Sequence, residues 1–203
     1  GGTSGVAAAI CAARAGASTL LIERVGSLGG QMCFSGPPGF AFAHLFNPKG
    51  EQDAAGIIEE IHSRMLSEGH ALPHIKPEHR LEAGYTFSYV DPDWFSITIF
   101  EMMEEAGVEL LLHTVIEQVH VKGDRMVAVR VANKSGIEFM AADSFIDCTG
   151  DADVAHLCGC PWKKGRDEDG RAFSFHLHVL FVCFQRSFSI SGGAIVPDRC
   201  RAA

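Results

Sequence analysis

The first 24 residues confine this chain to a narrow set of folds. Gly1-Gly2-Thr3-Ser4-Gly5 leads straight into the small-residue run from Val6 to Ala15, which Gly16 closes before Thr19-Leu20-Leu21-Ile22-Glu23-Arg24. A glycine turn, an alanine-rich helix, a stopping glycine and an apolar strand ending in an acid make up the phosphate-binding half of a dinucleotide fold. Gly2 has no Cβ, so backbone N–H groups can close on a pyrophosphate, and Gly5 lets the helix lie near the sheet. The helix start adds orphan N–H groups and the positive end of its dipole. Glu23, at the end of the strand, is placed to accept hydrogen bonds from an adenosine ribose, where an acid disfavours a 2′-phosphate. Gly2 and Gly5 match the second and third glycines of G-x-G-x-x-G. The first glycine and the strand before it are absent, so the expectation is that the fold begins upstream of Gly1.

Composition narrows the function classes. The 203 residues carry 17 Lys and Arg against 25 Asp and Glu, a net charge of -8, with the basic residues scattered rather than striped, which argues against a nucleic-acid groove. At 47% hydrophobic the chain can bury a core, yet no stretch reaches the roughly 18 apolar residues of a membrane span. With no signal peptide in view, a cytoplasmic location is expected. Cys11, Cys33, Cys148, Cys158, Cys160, Cys183 and Cys200 show no C-x-x-C spacing and read as reduced packing residues, so no metal site is expected. His70, His74 and His79 fall in a proline-punctuated polar stretch that reads as a surface loop.

Between residues 25 and 39, glycines and prolines at Gly26, Gly29-Gly30 and Gly36-Pro37-Pro38-Gly39 read as irregular backbone shaped to lie against something flat or charged. Residues 55 to 68 predict a helix with Ile57, Ile58, Ile61, Met65 and Leu66 on one stripe. A short strand is expected around Tyr85 to Val90. Asp91-Pro92 is an N-cap followed by proline at the first helical position, and Trp94, Phe95, Ile99, Met102 and Met103 give that helix its buried face up to Gly107. Val108 to His113 has strand length, and Val115 to Lys122, Arg125 to Ala132 and Ile137 to Ala141 read as a meander. Ser144 to Cys148 reads as a buried strand entering the turn Thr149-Gly150-Asp151 and a new helix. That is a second junction where N–H groups and a carboxylate can meet a ligand.

Gly2-Thr3-Ser4-Gly5, Leu21-Ile22-Glu23-Arg24, Ser27-Leu28-Gly29-Gly30, Glu104 to Val108 and Ile146 to Asp153 together resemble the FAD-dependent oxidoreductase family. These are flavoproteins of the glutathione-reductase-like superfamily, whose relatives include the flavin subunit of heterodisulfide reductases. The resemblance covers roughly residues 1 to 171. It implies an α/β fold: a Rossmann-like FAD-binding domain with a parallel sheet, helices and a β-meander, incomplete at both ends. It further implies that the Gly2 to Gly5 turn meets the FAD pyrophosphate, Glu23-Arg24 the adenosine ribose, and Gly29-Gly30 the pyrophosphate or flavin edge. Val115-Ile116 would offer backbone to the adenine. Thr149-Gly150 would complete the cleft with Asp151 as an FAD-facing acid, although Asp147 could simply cap the turn and Asp151 could N-cap the next helix. Iron–sulfur clusters occur among relatives, but these cysteines do not match a cluster spacing.

The function expected is a flavin oxidoreductase, passing hydride or electrons to a small-molecule substrate or an electron-transfer partner. Catalytic residues are not identified. Cys33 is a weak candidate because it follows the Gly29-Gly30 loop, but dithiol chemistry needs a second thiol and the inert reading is favoured. An NAD-binding dehydrogenase shares the opening fingerprint, and a non-catalytic flavoprotein fragment is the other alternative. A FAD domain over 1–171, with a helical and loop insertion at about 40–106, is followed by 172–203. That tail departs from the family's usual continuation: it is either a variant edge strand in an unfinished substrate domain or a stretch out of frame, and the second is favoured.

Overall fold

The computed structural model of the chain describes residues 1–34, 39–41, 45–47, 49–75, 88–161 and 188–189. The fold is mixed α/β, with a parallel and an antiparallel sheet, as the sequence implied. The chain divides into two compact units, one of Gly1–Gly16 with Ser27–Glu109, the other of Ala17–Gly26 with Leu110–Ala203.

The first unit is helical. Helices α1 (Thr3–Arg14) and α3 (Ile57–Ser67) both pack on α4 (Pro92–Ala106), and the short α2 (Gln31–Phe34) joins them. Its core is Val6 and Ile10 of α1, Ile61 and Met65 of α3, and Phe95, Ile99, Met102 and Met103 of α4, all almost fully buried. Their spacings of three and four residues put each set on one helical face, and each such side chain contributes about 1.5–3 kcal/mol on burial. Asp91 caps α4 as its residue type predicts, accepting from the N–H groups of Asp93 and Trp94, with Pro92 in the first turn. Strands β2 (Gly39–Ala41) and β3 (Ser88–Val90), one on each side of α3 in sequence, pair antiparallel. The predicted α3 stripe is narrower than expected: Leu66 is exposed, and His62 is buried in its place.

The irregular backbone expected over 25–39 is interrupted by α2 and β2. Gln31 to Phe34 contain neither glycine nor proline, so one helical turn forms on the carbonyls of Gly29 and Gly30.

Outside the core, Arg14 of α1 pairs with Glu60 of α3 at 2.6 Å, and Arg64 pairs with Glu60 at 2.8 Å and with Glu105 of α4 at 2.7 Å. Three helices are thereby laced by one ion network. The Arg14 hydrogen bond, then that of Arg64, outweighs partial burial and pulls Glu60 from its ordinary 4.5 down to about 2. A carboxyl acidified by folding stabilises the fold above its unfolded pKa, and that contribution fades as pH falls. Urea midpoints should therefore drop between about pH 4.5 and pH 2, and Glu60→Gln should flatten part of that drop while lowering stability at neutral pH. Identical pH profiles for the two proteins would remove Glu60 from this role.

The second unit is a sheet with one small helix. Strands β5 (Val115–Lys122), β6 (Arg125–Asn133) and β7 (Gly136–Ala142) form the predicted meander, with β8 (Phe188–Ser189) on the outer side of β7. Val119, Val129, Val131 and Met140 alternate onto one face, where Val154 of α5 (Asp153–Leu157) packs with Leu20 and Ile22 of β1 (Leu20–Ile22) and Leu111 of β4 (Glu109–Leu111). Strand β1 pairs with β4. The buried strand expected at Ser144 to Cys148 is reduced to one bridge residue, Ile146, which is exposed. Asp147 explains the difference, because its carboxylate gathers local N–H groups into a turn, an alternative to a ladder. Most of the 172–203 tail, together with His79, lies outside the described residues.

Candidate dinucleotide site

In the first unit the opening glycines stand against a second glycine pair. Gly2 and Gly29 form a parallel bridge, and the Gly29 N–H donates to the Gly1 carbonyl at 2.8 Å. Gly30 has φ +56°, and a Cβ there would lie 2.9 Å from the Gly2 Cα; at Gly29, with φ +108°, it would lie 2.6 Å from Cys33 Sγ and 3.0 Å from the Phe95 ring. Neither position admits a side chain. Leu28, fully buried, fixes the loop by donating its N–H to Ser96 Oγ of α4 at 3.2 Å.

Gly2 differs in kind. Its φ of −70° suits any residue, yet a Cβ there would meet nothing within 4 Å. Among the described residues, packing therefore does not demand its glycine and leaves the side of its Cβ open. Helix α1 starts from Gly2 with no side-chain cap and no acid in its first turn. Thr3, Ser4 and Gly5, all half-buried, form that turn. An uncapped helix start with open space over a glycine fits a pyrophosphate, which supplies the acceptors the helix lacks.

In the second unit, Glu23 is held by backbone on both sides. Its N–H donates to the Leu111 carbonyl at 3.0 Å, and its carbonyl accepts from Thr114 N–H at 3.0 Å. The structure thus brings Glu23 to the start of β5, where Val115 is half-exposed and Ile116 packs on the core. Glu23 Oε1 accepts from the Val25 N–H at 2.9 Å, which aims the carboxylate; Arg24 is exposed. Among the described residues β5 pairs only with β6, so its other edge can offer backbone to a flat ring.

The second junction is organised by Asp147. Its Oδ1 accepts from Thr149 N–H at 3.0 Å and Thr149 Oγ1 at 2.7 Å, and its Oδ2 from Ala155 N–H at 2.9 Å. Thr149 Oγ1 in turn accepts from Asp153 N–H at 2.7 Å. The N-cap position of α5 is Ala152, at a left-handed φ of 59°, so the helix is capped by Asp147 and Thr149 and not by Asp151. Asp151 is exposed, and among the described residues nothing lies within 4 Å of a Gly150 Cβ.

Cys33 is packed and not poised. Its thiol donates to the carbonyls of Leu28 at 3.1 Å and Pro92 at 3.4 Å. Burial, with the Asp93 carboxylate behind it, pushes its pKa up to about 11, so it carries almost no thiolate at neutral pH. The inert reading fits this environment.

An α/β fold with these glycine turns defines a dinucleotide-binding protein. More narrowly, the chain belongs to the FAD dependent oxidoreductase family, whose model matches residues 1–199, and FAD is the cofactor that goes with it. The family assignment carries the flavin reading rather than the NAD one. Among solved structures the chain is similar to THI4 of Thermovibrio ammonificans, with 20% identity and a TM-score of 0.50 over 79% of this chain and 61% of that one. It is also similar to BexE, at 16% identity and TM-score 0.53 over 78% of this chain and 32% of that one. The Diels-Alderase PyrE3 matches at 20% identity and TM-score 0.50, over 79% of this chain and 33% of that one. At such identities the likeness shows the fold. The chain spans less than two thirds of each of these structures. None of the curated proteins matches it. Among the described residues no helix is long and apolar enough to cross a membrane.

Proposed function

We propose that this chain forms the FAD-binding part of a flavin oxidoreductase that acts on a small molecule or an electron-transfer partner. The observation that carries the reading is the uncapped start of α1 at Gly2, open on the side where a Cβ would stand. When bound, FAD supplies the redox chemistry by taking up or releasing hydride or single electrons. The chain's residues bind and orient it. The N–H groups of the Gly2, Thr3, Ser4 and Gly5 turn hold the pyrophosphate, and Gly29-Gly30 allow it close approach. Glu23 accepts from the adenosine ribose, with Arg24 beside it, and the backbone of Val115-Ile116 faces the adenine. The Thr149-Gly150-Asp151 turn, held in shape by Asp147, offers further N–H groups and a carboxylate for the cofactor. Cys33 keeps its proton and serves as packing.

Titrating the chain with FAD, followed by flavin fluorescence, tests this reading directly. Glu23→Ala should weaken binding by about 1.5 kcal/mol, the scale of a lost hydrogen bond to a charged group, while Cys33→Ser should leave it nearly unchanged. No saturable FAD binding by the folded wild-type chain would defeat the proposal, and an unaffected Glu23→Ala would remove only the ribose role.

A further inference from the structure

The most concentrated set of ligating side chains in the described residues lies away from the glycine turns. Glu59 and His62 sit at i and i+3 on α3, so they share a helical face, and His74 from the segment after the helix meets them. His74 Nε2 is 3.0 Å from Glu59 Oε2, and His62 Nδ1 is 3.8 Å from Glu59 Oε1. One donor atom from each residue lies within 4.8 Å of the other two. Both histidines are almost buried, with side-chain exposures of 2% and 10%, while Glu59 at 26% leaves a way in from solvent. His74 is thus no surface-loop residue, as its neighbouring prolines had suggested.

We propose that Glu59, His62 and His74 bind one divalent transition-metal ion of the zinc class. Two of the three, His62 and Glu59, are oriented by a second hydrogen-bond partner, as metal ligands characteristically are. His62 Nε2 lies 2.9 Å from the Leu72 carbonyl and 3.0 Å from Ser88 Oγ. A carbonyl only accepts, so Nε2 carries a hydrogen, and Nδ1 is the ring nitrogen on the Glu59 side. Gln52 Nε2 donates to Glu59 Oε2 at 2.9 Å, fixing the carboxylate. The His74 ring is stacked on His62 at 3.7 Å and met by the Phe46 ring at 5.2 Å.

Two imidazoles and one carboxylate suit zinc and its neighbours, and not magnesium or calcium, which take oxygen ligands. Bonds of about 2.0–2.2 Å in a tetrahedron place donors about 3.3 Å apart, so the widest separation must close by up to about 1.5 Å and the stacked rings must tilt to face one point. His74, off the helix, is the ligand able to turn. Water fills the fourth position. The ion would clip α3 to the segment that leads into β3, whose Ser88 holds His62.

The test uses the full chain, stripped by chelator and titrated with zinc(II) by calorimetry and with cobalt(II) by absorption. One ion per chain is expected, with a cobalt spectrum of nitrogen and oxygen ligands and no thiolate charge-transfer band, and with a raised melting temperature. His74→Ala and Glu59→Gln, at sites that leave the helical core intact, should lose that ion and the melting shift, and Ser88→Ala should weaken binding by about 10–100-fold. Zinc binding unchanged in His74→Ala and Glu59→Gln, cobalt bound only through thiolates, or no stoichiometric ion at all would each overturn the site.

Discussion

Gly2→Val is expected to lower FAD affinity by about 100-fold or more, about 2.8 kcal/mol, while the melting temperature of the apoprotein stays within a degree or two of wild type. The separation follows from where Gly2 stands. Its backbone angles, φ −70° and ψ 177°, are ones that valine adopts readily, and its Cβ would meet nothing within 4 Å. No packing contact among the described residues demands a glycine there, whereas the proposed phosphate at the α1 N–H groups needs that side open. Gly30→Ala is the contrasting variant. A left-handed φ of +56° costs an L-residue about 1–2 kcal/mol, and the new Cβ would press on the Gly2 Cα at 2.9 Å, so stability and FAD binding should fall together. Flavin fluorescence titrations beside urea melts read both quantities. A Gly2→Val protein that binds FAD as wild type does would show that the cofactor does not use this turn, whatever Gly30→Ala does.

These two glycines also mark what the sequence could and could not disclose. The turn, the alanine-rich helix and the terminal acid were legible because each residue type answers a local steric or capping demand, and the helix boundaries at Asp91-Pro92 are of the same kind. The meander was legible because its apolar residues alternate, although the two register shifts between β5 and β6, with Glu117 the extra residue in β5 and Val127 the extra residue in β6, left no mark in the pattern. That Gly29 and Gly30 pack directly on the opening turn was not legible, since it joins segments far apart in the chain. The Glu59, His62 and His74 cluster was half legible. Glu-x-x-His on one helical face is a visible spacing, but His74 reaches it only through the path of the following segment, which carries no periodicity. The strand expected before Thr149 failed for a physical reason: a run rich in apolar residues was read as a ladder, while one aspartate inside it had stronger local bonds to make.

That aspartate supports the second large expected effect. Asp147, 8% exposed, is the shared acceptor for both donors of Thr149 and for the Ala155 N–H, so it ties the Thr149-Gly150-Asp151 turn to the first turn of α5. Bonds to a charged acceptor are worth about 1.5–3 kcal/mol each but do not add fully, and truncation strands the buried N–H groups. Asp147→Ala should therefore destabilise the chain by about 3 kcal/mol in urea. Asp147→Asn discriminates between shape and charge. Its amide can keep one oxygen for Thr149, but its NH2 then faces the Ala155 N–H, and flipping the amide only moves the donor conflict to Thr149. A cost of about 2 kcal/mol is expected for Asn, against less than about 0.5 kcal/mol for Asp124→Asn in the exposed turn between β5 and β6. An Asp147→Asn protein as stable as wild type would mean that the turn holds its form without the carboxylate. If instead Asp147→Asn loses stability and, under conditions where it remains folded, binds FAD more weakly, the loss ties the turn to the cofactor, because Asp147 lies beneath it and reaches a ligand only through the Thr149-Gly150-Asp151 backbone it holds in place.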